Sequence, residues 1–80
     1  MDNSWENKND TLTKDFQFKG FNEAVKFVNN IAKEANKLDH HPDILIHDYK
    51  HVKITLTTHC EGSKVTDKDH VLAKIIDGLA

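Results

Sequence analysis

Six histidines stand among eighty residues, at His40, His41, His47, His51, His59 and His70, with none before the midpoint of the chain at residue 40. Imidazole, with an ordinary pKa of about 6.5, can both give and accept a proton near neutrality, and it also ligates metals. Spacing separates the two uses. A local zinc-type site places its ligands a few residues apart on one element. Consecutive His40 and His41 are badly placed to chelate one ion, and His47 and His51 have H-x-x-x-H spacing but flank a turn, so no metal is expected. Cys60 beside His59 is a poor thiol–imidazole dyad, because neighbours on a strand point to opposite faces. His47, His51 and His70 read as solvated surface residues. Two readings are left for Asp39-His40-His41-Pro42-Asp43: proton transfer, or a structural role in which His40 and His41 cap a helix end and His59 is solvated. Pro42 holds His41 extended, so the two imidazoles diverge, one facing a substrate while the other orients it.

The elements around this segment follow from periodicity. The first ten residues are polar apart from Met1 and Trp5 and read as a lead-in, with room for a short strand around Trp5. Thr11 to Lys19 alternates as a strand, with Leu12, Phe16 and Phe18 on one parity and Lys14 intruding on it. After Gly20 the period becomes helical: Phe21, Ala24, Val25, Val28, Ile31, Ala32, Ala35 and Leu38 form one apolar face. Pro42 forbids continuation, which predicts a helix over about 21–38. Ile44 to Ile46 and the alternating Val52, Ile54 and Leu56 form a hairpin around Asp48-Tyr49-Lys50. Thr66 with Asp69 three positions on resembles a capping box and opens a final helix whose stripe is Leu72, Ile75, Ile76 and Leu79. The histidine loop thus lies between a helix and a strand, where rigid elements hold loop residues for chemistry. In the antiparallel hairpin His59 approaches His40 and His41, so three imidazoles are expected to line one pocket.

The chain therefore reads as one α+β domain over residues 11–80, a small antiparallel sheet with helices on one face, following the lead-in of residues 1–10. Its size and balance limit the function classes. A chain of eighty residues buries only roughly 60% of the surface it exposes when unfolded, so subunit association is expected. All eleven basic residues are lysines and the formal charge is -2. Without arginine for bidentate base or phosphate contacts, nucleic acid is a poor partner. No apolar run is long enough for a membrane span or signal peptide, and the mean hydropathy of -0.64 agrees,. A cytoplasmic location is expected, and the single cysteine fits a reducing compartment.

Several segments together resemble the pterin-4a-carbinolamine dehydratase family. They are Phe16-Gln-Phe-Lys-Gly-Phe-Asn-Glu-Ala, Lys37-Leu-Asp-His-His-Pro-Asp-Ile, Thr58-His59, Thr66-Asp-Lys-Asp69 and Leu72-Ala-Lys-Ile-Ile-Asp77. The order is His40-His41-Pro42, six residues, Tyr49, nine residues, His59, nine residues, Asp69. The resemblance implies catalytic histidines at His40, His41 and His59, and substrate-binding positions at Pro42, Asp43 and Thr58. It also implies dehydration of 4a-hydroxytetrahydrobiopterin to quinonoid dihydropterin in tetrahydrobiopterin recycling, and assembly as a homodimer or homotetramer. Such a dehydration needs one proton delivered to the leaving hydroxyl and one removed from N5, and the N5 lone pair assists departure, so no cofactor is expected. The sequence departs from the family pattern at Asn36, where a charged residue or histidine is usual, and at Ile44, where some members have tryptophan; Trp5 stands almost at the start, without the usual preceding helix. The alternative the resemblance leaves open is a non-catalytic member that binds another protein, as a dimerisation partner or coactivator does.

Overall fold

Asn9 and Asp10 both adopt left-handed backbone, with φ of 54° and 58°, a conformation these two residue types tolerate better than most. The tight turn they make joins β1 (Glu6–Lys8) to β2 (Thr11–Gln17) in the computed structural model, which describes residues 5–58 and 64–80. α1 (Phe21–Leu38) follows, then β3 (Asp43–His47), β4 (His51–Leu56) and α2 (Asp67–Leu79). The four strands form one antiparallel sheet in the order β1-β2-β4-β3. The fold is α+β, with the helices on one face of the sheet.

Alternation of side chains along each strand divides the sheet into two unlike faces. Leu12 and Phe16 of β2 and Val52, Ile54 and Leu56 of β4 are buried against Ala24, Phe27 and Ile31 of α1 and Leu72, Ala73 and Ile76 of α2. Five of the large apolar side chains, Ile31, Ile54, Leu56, Leu72 and Ile76, are fully buried, each contributing about 1.5–3 kcal/mol. Ile44 and Ile46 of β3 complete the inner surface. Phe27 stacks at a tilt on both Phe16 and Phe18, with centroids 4.9 and 4.8 Å away.

Lys14, the polar residue on the apolar parity, stays there by reaching the rim. Its Nζ lies 2.7 Å from Asp77 Oδ1 near the end of α2, and its ammonium sits 4.8 Å from the Phe16 ring centroid, a favourable cation–π distance. Trp5 shares the same carboxylate: its indole N–H donates to Asp77 at 3.1–3.2 Å, while the ring meets Phe16 edge-on at 6.0 Å. From residue 5 onward, the segment that composition marked as a lead-in is therefore tied to the sheet through β1 and to the core through Trp5.

Candidate functional site

The end of α1 determines where the histidine pair points. Asp39 enters the left-handed region with φ 51°, and the His40 amide returns to the Ala35 carbonyl at 3.1 Å, the six-to-one hydrogen bond of a Schellman-type helix end. This sharp reversal folds His40 inward toward the start of α2. There the capping box has formed: the Thr66 amide donates to Asp69 Oδ2 at 3.0 Å. Asp69 has no solvent-exposed surface. Its other oxygen, Oδ1, lies 2.5 Å from His40 Nε2, and Oδ2 also accepts from the Thr58 hydroxyl at 2.8 Å. Thr58 Oγ1 in turn lies 2.7 Å from Thr66 Oγ1. A buried carboxylate is costly unless its lone pairs are satisfied, and here three donors from three parts of the chain converge on it.

Burial by itself would push the Asp69 pKa up, but the His40, Thr66 and Thr58 hydrogen bonds outweigh it and hold the carboxyl below its ordinary value,. An ionised carboxylate only accepts, so His40 Nε2 carries the hydrogen and Nδ1 is the basic nitrogen of the neutral ring. Such a carboxylate–imidazole pair orients the ring and fixes its tautomer.

His41 diverges, as Pro42 requires. It is exposed, and its Nε2 lies 3.0 Å from Asn36 Oδ1, which again leaves Nδ1 as the basic nitrogen. Asn36, the departure at the position before the histidines, thus positions His41 by a neutral amide. Pro42 is half-buried and Asp43 exposed at the start of β3. Thr58, expected at a substrate-binding position, is buried with its hydroxyl engaged by Asp69 and Thr66. Its backbone pairs with Lys64 through hydrogen bonds of 2.9 and 3.4 Å. His59, the third expected catalytic histidine, and Cys60 lie outside the described residues. A cavity of about 280 Å³ opens beside His40, lined also by Leu38, Asp67, Lys68 and Val71.

Asp69 is the site residue that local reading undervalued. Its capping role was visible from the T-x-x-D pattern, and its position closes the motif spacing, but only the fold shows that the carboxylate caps a helix with one oxygen and holds His40 with the other. On the far face of the sheet, His47 is also less solvated than its turn position suggests. Hydrogen bonds it donates to Asp15 first and Asp48 second raise its pKa above the ordinary 6.5.

Among the described residues, one antiparallel sheet backed by two helices, with a buried carboxylate hydrogen-bonded to one of two adjacent histidines at a helix end, defines a small α+β protein. The family model for pterin 4 alpha carbinolamine dehydratase matches residues 1–79, and the chain belongs to that family. A "putative pterin-4-alpha-carbinolamine dehydratase" of Sulfolobus acidocaldarius is 47% identical over 75 residues, covering 94% of this chain and 80% of the relative. One of the same name from Thermomicrobium roseum is 43% identical over 76 residues, covering 95% and 80%. Among solved structures, a transcriptional coactivator/pterin dehydratase from Brucella melitensis superposes with a TM-score of 0.88 at 35% identity, over 96% of this chain and 82% of that one. A pterin dehydratase-like protein described as a RuBisCO assembly factor in the alpha-carboxysome gives 0.77 at 25% identity, over 96% and 89%.

Proposed function

We propose that this protein dehydrates 4a-hydroxytetrahydrobiopterin to quinonoid dihydropterin by general acid–base catalysis with His40, His41 and His59. The observation that carries the reading is the buried Asp69–His40 pair set next to the exposed His41, in a member of this family. In the proposed reaction the N5 lone pair forms the C4a=N5 bond as the 4a-hydroxyl leaves. One imidazolium gives that hydroxyl its proton, so water departs, and one neutral imidazole takes the N5 proton. Asp69 holds the Nε2–H of His40 and leaves Nδ1 as the accepting nitrogen,, which suits His40 to the receiving role. His41, exposed and held by Asn36, suits delivery to the leaving group. Pro42 and Asp43 shape the approach to His41, and Thr58 acts on the site through Asp69. Each proton transfer of this kind is worth about 10²–10⁴ in rate.

A spectrophotometric dehydratase assay tests this. Wild type should accelerate loss of the carbinolamine, and His41→Ala should lose most of that acceleration. Equal turnover by wild type and the variant would instead favour a protein-binding role, the reading supported by the structural neighbours described as a transcriptional coactivator and as a RuBisCO assembly factor. A homodimer or homotetramer is proposed as the working assembly, in the cytoplasm.

A further inference from the structure

The helices leave one face of the sheet open, and on it a second histidine cluster forms. The loop Asp48–Lys50 joins β3 to β4, and Asp48 and Tyr49 both take positive φ, 48° and 52°. That conformation is costly for a residue as bulky as tyrosine. The turn sets His47 directly opposite His51 in the ladder, with their rings stacked at 5.1 Å between centroids. β4 also pairs with β2, in a register that puts Gln17 opposite His51 and Asp15 opposite Lys53. Asp15 is therefore the diagonal neighbour of His51, within side-chain reach. Its Oδ2 lies 2.6 Å from His47 Nε2 and its Oδ1 3.4 Å from His51 Nδ1. One ligand atom from each of the three residues lies within 4.8 Å of the others.

We propose that Asp15, His47 and His51 form a binding site for a divalent transition-metal ion of the zinc, cobalt and nickel class, bridging β2, β3 and β4. Two imidazole nitrogens and one carboxylate oxygen are the donor set such ions take, whereas calcium and magnesium take all-oxygen sites. In a tetrahedral site with ligand bonds of about 2.0–2.2 Å, donor atoms stand about 3.3 Å apart. The cluster already brackets that separation, so binding needs only side-chain rotation on a rigid ladder. The ion replaces the hydrogen that Asp15 and His47 now share. The supporting shell is present as well: His47 Nδ1 lies 3.0 Å from Asp48 Oδ2, the carboxylate–histidine arrangement that orients a metal-bound ring. The three side chains are 43%, 32% and 27% exposed, so a hydrated ion can enter and keep water in its remaining position. The site is built from residues that the dehydration reading does not use.

Cobalt titration of the full untagged chain, followed by visible absorption and by competition with zinc, tests the proposal. One equivalent should bind saturably, with ligand-field bands that zinc abolishes. The His47→Gln/His51→Gln variant should weaken binding at least 100-fold, Asp48→Asn about 10-fold, and His40→Gln/His41→Gln should leave it unchanged. Circular dichroism checks that each variant is folded. Ring-nitrogen NMR of the wild type, which depends on no substitution, should show zinc shifting His47 and His51. Absence of saturable binding, undiminished binding in the folded His47→Gln/His51→Gln variant, or zinc shifts confined to other histidines would each overturn it.

Discussion

His40 Nε2 and Asp69 Oδ1 lie 2.5 Å apart although 29 positions separate the two residues in the chain, and the contact joins the end of α1 to the start of α2. The same carboxylate caps α2 through the Thr66 amide. Helix initiation and histidine orientation thus depend on one buried side chain, which couples the stability of the fold to the geometry of the proposed catalytic pair.

Replacing Asp69 with asparagine keeps the shape but puts an amide where an ionised acceptor met three donors. The variant should lose about 1–3 kcal/mol of stability, the usual cost of leaving buried hydrogen-bonding groups unsatisfied. Urea unfolding should show a lower midpoint at an unchanged slope. A midpoint equal to that of the wild type would mean the network contributes nothing net.

The contribution of Asp69 should depend on pH with a defined sign. Its carboxyl pKa is lowered in the folded protein from an ordinary 3.8, so the folded state favours the ionised form. That stabilisation is fully present above the unfolded value and is lost as the pH falls through the folded one. The stability gap between wild type and Asp69→Asn should be constant near neutrality and shrink as the pH drops below about 3.8. A gap unchanged down to pH 2 would contradict the ionised assignment.

His41 is exposed and makes one side-chain hydrogen bond among the described residues. His41→Ala should therefore reduce dehydratase turnover by about 10²–10⁴ while leaving the circular dichroism spectrum and unfolding midpoint nearly unchanged. A comparable loss of stability would show that the residue acts through the fold.

Tyr49 carries left-handed backbone and is 61% exposed, so little packing offsets its steric cost. Tyr49→Gly should stabilise the domain by roughly 0.5–1 kcal/mol, since glycine takes positive φ without strain. For a domain of this size, 1 kcal/mol corresponds to about 4–8 °C in melting temperature. A lower melting temperature would reveal a contact of the ring that outweighs the strain.

Both edges of the sheet, β1 and β3, leave strand groups available for pairing, and Leu45 on β3 is 56% exposed. Sedimentation equilibrium should show a dimer or larger assembly, closed twofold symmetry being the commonest arrangement. A mass of one chain throughout the micromolar range would exclude it.

Local pattern determined most of the elements. The 3.6-residue recurrence from Phe21 to Leu38 and the stop at Pro42 predict α1 with the bounds it has. Alternation from Val52 to Leu56 predicts β4, and Thr66 with Asp69 predicts the start of α2, because each depends on neighbours a few residues apart. The divergence of His40 and His41 was legible for the same reason. Which distant residues meet was not. The pairing of β2 with β4 spans the whole of α1 and β3, and no local period specifies it. That pairing brings Asp15 to His47 and His51, whose four-residue spacing counts for little locally because the two flank a turn. The αL residue Asp39 turns His40 toward a carboxylate that the sequence marked only as a cap. Periodicity states which face of an element is apolar, but polar side chains on opposite elements find each other only once the apolar faces have packed and set the register.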